Sequence, residues 1–312
     1  MSQITQYAIR LTHFILLGRP LFLAGGFILH GLGAAIAVYD GATLNGAALL
    51  WGQVAVTAVQ LMTHYSNDYF DLAADRANRT PTRWSGGSRI LADGLLPPWV
   101  ALAAVVLFSL VALTATLVLA LVVQTGHLTL PLLSLAYLLC LGYSAPPLRL
   151  VSRGLGELSG ALIVPGLTML VGYYLQNGRL AWLPILAVVP LCWLQLAMLL
   201  AVAFPDAEGD RAAGKGTLVV RWGGVRAAGL YLGALLAAYT SLPFLLILGL
   251  PGRVAGAAGL GLPLALWLAW RVQEGDWAEP TRWGRLAFWT IGLLMTTAAA
   301  ELVAFLLALD VV

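Results

Sequence analysis

Long runs of apolar residues recur along the whole chain, separated by short polar or Gly/Pro-rich breaks. The stretch 102–123 is apolar on every side, whereas a surface helix of a soluble protein has one apolar and one polar face. A helix needs about 20 apolar residues to cross a bilayer. The pattern predicts about nine membrane-spanning helices, at 20–39, 46–66, 97–122, 129–143, 155–175, 180–204, 225–249, 254–271 and 284–309.

The first 19 residues follow a different pattern. Ile4, Tyr7, Leu11 and Phe14 or Ile15 recur at the spacing of one helical face. The segment has neither the basic flank nor the small-residue cleavage site of a signal peptide. We therefore expect residues 1–19 to form an uncleaved amphipathic helix at the membrane interface. We expect residues 1–312 to form a single domain.

Composition supports this class of fold. Of the 312 residues, 60% are hydrophobic and 10% are charged, against about 25% charged residues in soluble domains. The formal net charge is +3, but the arginines are spread over short loops and form no basic domain or arm. We expect an all-α integral membrane protein whose partner is the lipid bilayer and which does not bind nucleic acid.

The basic residues also predict an orientation. With nine spans, 15 of the 17 Lys and Arg residues fall on one side of the membrane, and only Arg179 and Arg253 fall on the other. Basic residues are enriched in cytoplasmic loops. We therefore expect a cytoplasmic N-terminus and an external C-terminus in what we take to be a prokaryotic cytoplasmic membrane.

Two acidic clusters follow the second and sixth spans, at 67–75 (NDYFDLAAD) and 206–210 (DAEGD). Four helices separate them, so both lie on the side predicted to be cytoplasmic. If the second helix continues through its cluster, Asp68, Asp71 and Asp75 share one face, and Asp206 and Asp210 are likewise one turn apart. Such carboxylates repel each other near a membrane unless cations neutralise them, and hard oxygen ligands favour magnesium or calcium.

Basic residues surround both clusters. Lys215, the only lysine, lies five residues after Asp210, and the glycine-rich run 85–88 follows the first cluster. Magnesium held by a few carboxylates next to Arg or Lys is a typical site for phosphate groups. The pattern therefore indicates a diphosphate substrate on the cytoplasmic side.

These motifs resemble the UbiA superfamily of intramembrane prenyltransferases, and the resemblance covers nearly the whole chain. It rests on the two acidic clusters, on the run 214–218 (GKGTL) after the second, and on 143–148 (YSAPPL) after the fourth span. Residues 86–91 (GGSRIL) and 93–97 (DGLLP) look most like the menaquinone branch, 1,4-dihydroxy-2-naphthoate prenyltransferase. Some members have a Tyr-x-x-x-Lys motif where this chain has Pro147, and Arg149 is a candidate replacement for that lysine.

The resemblance implies nine helices around a central cavity capped by cytosolic loops, with two Mg²⁺ ions on the diphosphate. It implies that metal binding and catalysis rest on Asp68, Asp71, Asp75, Asp206 and Asp210. The residues expected to bind substrate are Asn67, which would orient the first cluster, Arg89 and Lys215 on the diphosphate, and His64, Tyr143 and Arg149. The aromatic residues expected to shield the allylic cation are Tyr65, Tyr69, Phe70, Tyr143 and Trp193.

The implied reaction transfers a polyprenyl group from its diphosphate to an aromatic acceptor, with 1,4-dihydroxy-2-naphthoate as the expected acceptor. Other acceptors stay open, namely 4-hydroxybenzoate, homogentisate, chlorophyllide or another lipid. A non-catalytic protein that binds or transports a quinone is a further alternative. The sequence determines neither the prenyl chain length, the oligomeric state, the base that takes the final proton, nor the role of Glu301.

Overall fold

The computed structural model describes residues 3–309, and the side chains of residues 6–309. Within this range all regular secondary structure is helical. The α-helices are α1 (Gln3–Leu17), α2 (Pro20–Tyr39), α3 (Gly46–Phe70), α4 (Leu72–Ala77), α5 (Pro98–Leu117), α6 (Thr129–Ser144), α7 (Gly156–Leu162), α8 (Thr168–Asn177), α9 (Trp182–Ala203), α10 (Ala207–Ala212), α11 (Leu218–Trp222), α12 (Gly224–Ile247), α13 (Gly252–Gly259), α14 (Leu262–Gln273) and α15 (Pro280–Leu309).

Eight helical segments in the described range are long and apolar enough to cross a membrane. They are α2, α3, α5 with its π-helical continuation, α7 with α8, α9, α12, α13 with α14, and α15. The apolar helix α6, with 16 residues, is the short fourth segment expected from the sequence. The prediction of an all-α integral membrane fold is confirmed. The single-domain organisation stays a prediction.

The fifth span is interrupted at its centre. A π-helical turn at Ile163–Leu167 separates α7 from α8 and contains Pro165, which has no N–H group for an α-helical hydrogen bond. Such turns are frequent at functional sites. Ile163, Val164 and Leu167 line the central cavity described below.

Glycines bring the first and fifth spans into close backbone contact. A Cβ atom on Gly33 of α2 would overlap the carbonyl of Met169, and one on Gly172 of α8 would overlap the carbonyl of His30. Small residues serve this purpose at helix interfaces in membranes, where the apolar solvent itself provides little driving force for helix association.

The amphipathic helix α1 contacts the bundle through its last turn. The Tyr65 hydroxyl donates a hydrogen bond to the Phe14 carbonyl at 2.8 Å, and Leu17 is fully buried. Tyr7, Leu11 and Ile15 are more than half exposed, which gives α1 an apolar face directed away from the bundle. Residues 1 and 2 and the side chain of Ile4 lie outside the described residues, and the interfacial position of α1 stays a prediction.

The second span differs from the expected uninterrupted helix. Helix α3 ends at Phe70, four residues after the predicted end at 66, and Asp71 separates it from α4. The hydrogen bonds from Asp71 N to Asn67 O (2.8 Å) and from Asp75 N to Asp71 O (2.9 Å) retain the helical direction across this break.

Candidate functional site

A cavity of about 330 Å³ lies at the centre of the helical bundle. Its walls come from α2, α3, α4, α6, α7, α8, α9, α10 and α15 and from the loops that follow α4 and α10. Four of the five predicted carboxylates line it, namely Asp71, Asp75, Asp206 and Asp210. The structure therefore brings the two acidic clusters, which are more than 130 residues apart in sequence, onto one cavity wall.

Asp68 is the exception, because it lies behind the cavity wall. Its side chain is 2% exposed and pairs with Arg19, while its second oxygen accepts hydrogen bonds from the N–H and hydroxyl of Ser88. Arg19 itself lines the cavity, as does Asn67, whose Oδ1 lies 3.4 Å from the Arg19 guanidinium. Asp68 thus holds a cation at the cavity edge.

Two side chains bind the Asp71 carboxylate. Asn67 Nδ2 donates to Asp71 Oδ2 at 2.7 Å and to the Ser144 hydroxyl at 2.9 Å, so the end of α6 is tied to the first acidic cluster. Lys215 Nζ lies 2.8 Å from Asp71 Oδ2 and 3.3 Å from Asp210 Oδ1. Asn67 and Lys215 thus bind the same oxygen of Asp71, and Lys215 links the two clusters.

Asp75 and Asp206 have less cationic compensation. Burial and the neighbouring charge of Asp68 raise the pKa of Asp75 to about 8, and burial together with Asp210 raises the pKa of Asp206 to about 7. Asn78 donates to Asp206 Oδ1 at 2.8 Å. Burial is the larger cause of both pKa shifts, and the neighbouring aspartates add to it.

Short helices after each cluster pack directly on each other. A Cβ atom on Gly209 of α10 would lie 2.6 Å from the Ala74 carbonyl oxygen and 2.9 Å from the Asn78 nitrogen. Only a glycine fits against the α4 backbone at this distance, so Gly209 sets the separation of the two acidic clusters. The remaining acid of the second cluster, Glu208, is exposed.

The glycine-rich loop borders the same cavity. Ser85, Gly86 and Gly87 line it, and both glycines have positive φ angles, of 76° and 71°. A Cβ atom on Gly87 would overlap the Asp75 carboxylate. The loop backbone therefore lies so close to the Asp75 carboxylate that no residue larger than glycine fits at position 87.

Two predicted substrate-binding arginines do not reach the cavity. Arg89 binds the backbone carbonyl of Asp75 and the carboxylate of Asp93, at 2.6 Å from the latter, and so stabilises the loop around the first cluster. Arg149 is exposed and is not part of the cavity wall. By contrast, Tyr143 and His64 both line the cavity.

The aromatic residues in the wall also differ from those expected. Tyr65, Tyr69, Phe70 and Trp193 are absent from the described cavity wall; Tyr65 instead stacks on Phe108 at a centroid distance of 5.6 Å. The aromatic side chains that do line the cavity are Tyr143, Phe22 and Trp84. Helix periodicity assigns a residue to a face but does not show what that face meets, and Tyr65 meets Phe108 of α5.

A family model that describes the UbiA prenyltransferase family matches residues 27–304. The chain belongs to the UbiA prenyltransferase family. The predicted prenyltransferase activity class is thereby confirmed, while the match does not distinguish the branches of the family. A comparison with curated proteins finds no match.

Solved structures of UbiA homologues share the fold. A ligand-free homologue from Aeropyrum pernix K1 has a TM-score of 0.68 and 17% identity, with 90% of this chain and 97% of that chain covered. A homologue from Archaeoglobus fulgidus bound to GPP and Mg²⁺ has a TM-score of 0.66 and 15% identity, over 93% and 99% of the two chains. A digeranylgeranylglyceryl phosphate synthase has a TM-score of 0.63 and 15% identity, over 97% and 99%.

The residues of this UbiA chain fit a magnesium site in their donor chemistry. The five aspartates of the two clusters pair with only two cationic side chains, Arg19 and Lys215, so the clusters keep three negative charges when all seven groups are ionised. Within the described residues, no three His, Cys, Asp or Glu side chains group closely enough to enclose a metal by themselves. This suits Mg²⁺, which is usually bound by one or two carboxylates together with water and substrate phosphates.

Sequence reasoning missed three residues that shape this site. Arg19 served only to assign topology, yet it pairs with Asp68 at the cavity edge. Asn78 and Ser88 each bind one of the predicted aspartates. Asn78 follows Asp75 by three residues, so a helical spacing would have placed it on the face of the first acidic cluster. Arg19 is brought to this cluster only by the tertiary fold.

Proposed function

We propose that this protein transfers a polyprenyl group from polyprenyl diphosphate to an aromatic acceptor, with Mg²⁺ as cofactor. The observation that carries this proposal is the common cavity wall of Asp71, Asp75, Asp206 and Asp210, with Lys215 placed between the two clusters. One cavity thus combines oxygen ligands for a divalent cation with a cationic side chain for a phosphate.

On the donor side, Asp71, Asp75, Asp206 and Asp210 would hold two Mg²⁺ ions, which would supply positive charge to the diphosphate leaving group. Asp68 acts by holding Arg19 at the cavity edge. Lys215 and Arg19 are the cationic side chains that would bind the diphosphate oxygens. This arrangement stabilises the departing diphosphate and lengthens its bond to the allylic carbon.

Two solved structures with a similar fold support a prenyl diphosphate as the donor substrate. Homologues from Archaeoglobus fulgidus have been solved with GPP and Mg²⁺ and with DMAPP and Mg²⁺, at TM-scores of 0.66 and 0.64. A further structure of that homologue contains Cd²⁺. These ligands are prenyl diphosphates and divalent cations, the two classes that the cavity chemistry requires.

The prenyl tail occupies the apolar part of the cavity. Residues of α3 line the wall from Asp71 back to Ala55, a separation of 16 residues (71 minus 55) or about 24 Å along a helix. Val56, Val59, Leu133, Ile163 and Val171 are among the apolar residues along this path. Such a wall also keeps water away from an allylic cation, which water would otherwise capture.

The acceptor that the sequence motifs favour is 1,4-dihydroxy-2-naphthoate, as in menaquinone biosynthesis. The loop with residues 86–97 carries that resemblance, and its first glycines line the cavity. With this acceptor the product forms with loss of the ring carboxylate as carbon dioxide. The active site would face the cytoplasm, on the side that carries most of the basic residues.

The test is mass spectrometry of products from protein in detergent with Mg²⁺, a polyprenyl diphosphate and each of four acceptors: dihydroxynaphthoate, 4-hydroxybenzoate, homogentisate and chlorophyllide. We expect prenylated naphthoquinol product and released diphosphate. Asp71→Asn and Asp206→Asn should abolish both, whereas Glu208→Gln, an exposed acid in the second cluster, should retain full turnover.

Two results would contradict the proposal. Binding of a quinone without turnover of any acceptor would favour the non-catalytic alternative. Equal turnover in Asp71→Asn, Asp206→Asn and the parent protein would show that the carboxylates do not hold the reacting diphosphate.

A further inference from the structure

His64 presents one ring nitrogen to the cavity in a defined protonation state. Its Nδ1 lies 2.8 Å from the Gly18 carbonyl oxygen, in the connection between α1 and α2. A carbonyl oxygen only accepts hydrogen bonds, so Nδ1 carries the proton and the neutral ring has its lone pair on Nε2. Since His64 lines the cavity, Nε2 is the ring atom that a ligand there can reach.

One turn deeper on α3, Gln60 has an unsatisfied polar group. It lines the cavity on the same helical face as His64, and its Oε1 is buried without a hydrogen-bond partner in the described part of the chain. The amide lies against Gly26 of α2, where any Cβ atom would overlap it. The amide therefore packs between α2 and α3, but Oε1 makes no hydrogen bond across that contact.

The surroundings of these two residues suit a planar ring. Phe22 packs edge-on against both His64, at a centroid distance of 6.3 Å, and Trp84, at 6.1 Å, and both aromatic residues line the cavity. Gln195 of α9 adds a second amide to the wall and is 3% exposed. His64 and Gln60 lie on α3 between Asp71 and Ala55, beside the apolar residues proposed to hold the tail, and Gln195 lines the same cavity from α9.

We propose that His64, Gln60 and Gln195 form the acceptor subsite, which takes an aromatic ring with at least one hydroxyl group, and that His64 Nε2 accepts the proton of that hydroxyl. This inference rests on the proposed prenyl transfer and adds to it the recognition of the ring. Gln60 and Gln195 bind further oxygens of the ring, and Phe22 and Trp84 pack on its face.

In the proposed reaction His64 first accepts a proton from the acceptor and later returns it. The hydroxyl proton moves to Nε2, and electrons of the ring form a bond from a ring carbon to the allylic carbon while the bond from that carbon to the diphosphate oxygen breaks. In a naphthoate, the attacked ring carbon then releases carbon dioxide, and the electrons of the broken carbon–carbon bond restore the aromatic ring. In an acceptor without this carboxylate, the ring carbon gives its proton to the released diphosphate, and the electrons of the C–H bond restore the ring. The oxygen regains a proton from Nε2, so His64 returns to its starting state.

The decisive variant is His64→Asn. The Asn side-chain amide N–H occupies the position of Nδ1–H and retains the bond to Gly18, while nothing replaces Nε2. A positioned base is worth about 100-fold or more in rate. We expect kcat with 1,4-dihydroxy-2-naphthoate to fall by at least about that factor, with the affinity for polyprenyl diphosphate and Mg²⁺ unchanged within about twofold.

Two further arms separate recognition from folding. Gln60→Leu and Gln195→Leu should raise the KM for the acceptor by about tenfold, the value of one lost hydrogen bond to a ligand, with prenyl diphosphate binding retained. His127→Asn, an exposed histidine outside the cavity, is the matched control and should behave as the parent protein. An acceptor with a more acidic hydroxyl should restore part of the rate of His64→Asn.

The outcomes distinguish the two proposals. Unchanged kcat in His64→Asn, or loss of prenyl diphosphate binding in parallel with rate, would overturn the acceptor subsite while prenyl transfer stands. A parent protein that prenylates none of the four acceptors contradicts the proposed function itself, and the subsite with it.

Discussion

Lys215 Nζ lies 2.8 Å from Asp71 Oδ2 and thereby joins the two acidic clusters across the cavity. The same ammonium group is 3.3 Å from Asp210 Oδ1. These two carboxylates raise the pKa of Lys215 above its usual value and outweigh the opposite effect of burial. The only lysine of the chain is therefore a permanent positive charge at the point where we place the diphosphate.

Replacing this lysine should weaken binding of the donor substrate. Lys215→Met removes a charge-assisted hydrogen bond worth about 1.5–3 kcal/mol, which corresponds to a roughly 10- to 100-fold higher Kd for polyprenyl diphosphate. Titration of the purified variant with the diphosphate in the presence of Mg²⁺ measures this. Arg253→Gln, an exposed charge outside the cavity wall, is the control; equal affinities in both variants would remove Lys215 from the diphosphate site.

A single methyl group at Gly209 should separate the two clusters. The Cβ atom of Gly209→Ala would lie 2.6 Å from the Ala74 carbonyl oxygen. This oxygen is a backbone atom of α4, so it cannot rotate away as the end of a side chain can. A displacement of about 1 Å between reacting groups costs about 100-fold in rate, so we expect kcat to fall by about that factor. The measurement is turnover of the panel acceptor that the parent protein prenylates.

The control for this change is Gly229→Ala on α12, where an added Cβ atom meets no neighbour. Alanine is favoured over glycine inside a helix by roughly 0.5–1 kcal/mol, so this variant should be as active and slightly more stable. If both variants keep parent activity, then close packing of α4 on α10 does not set the cluster separation.

The sequence predicted the membrane helices well because their signal is local. Apolar runs of about 20 residues identify each span without reference to the others, and the bounds of α2 agree with the predicted 20–39. The aspartates could be assigned for the same reason, since the spacing of each cluster is contained in one or two turns. These features need no knowledge of how the helices pack.

The remaining site residues depend on packing between distant segments. Arg19 reaches Asp68 only because the end of α1 crosses α3, and Arg89 turns to Asp75 and Asp93 because the loop folds back beside the first cluster. Asp68 itself matches the motif as well as Asp71, yet only Asp71 faces the cavity. Arg19 and Ser88 bind the two oxygens of Asp68, and both come from segments that the sequence pattern does not bring next to it.

The stability of the metal-free protein should fall as pH rises. In an unfolded chain Asp75 would titrate near 4, whereas burial and Asp68 raise its pKa in the fold to about 8. Between about pH 4 and pH 8 the folded protein therefore holds a proton that the unfolded chain has lost, and its stability declines across this range. Thermal unfolding in a chelator at pH 5.5 and pH 8 should show the lower midpoint at pH 8.

Magnesium should reverse this trend, because it binds the ionised carboxylates of the fold. We expect the stabilisation by Mg²⁺ to be larger at pH 8 than at pH 5.5, and Asp75→Asn to reduce the pH dependence in the chelator. Some dependence should persist because the pKa of Asp206 is also raised, to about 7. Glu208→Gln serves as the control, and a midpoint that rises with pH in the chelator would contradict the assignment.

Replacing Glu301 should change the stability of the protein without changing its activity. It lies in α15, is fully buried, and neither of its carboxylate oxygens has a hydrogen-bond partner in the described part of the chain. It is not part of the cavity wall either. A buried polar group without partners costs about 1–3 kcal/mol, so Glu301→Met should raise the thermal midpoint of the detergent-solubilised protein. Because no cavity residue depends on this carboxyl group, prenyl transfer by the variant should equal that of the parent protein. A variant that is more stable but inactive would instead show that the Glu301 carboxyl group takes part in the reaction, although it does not line the cavity.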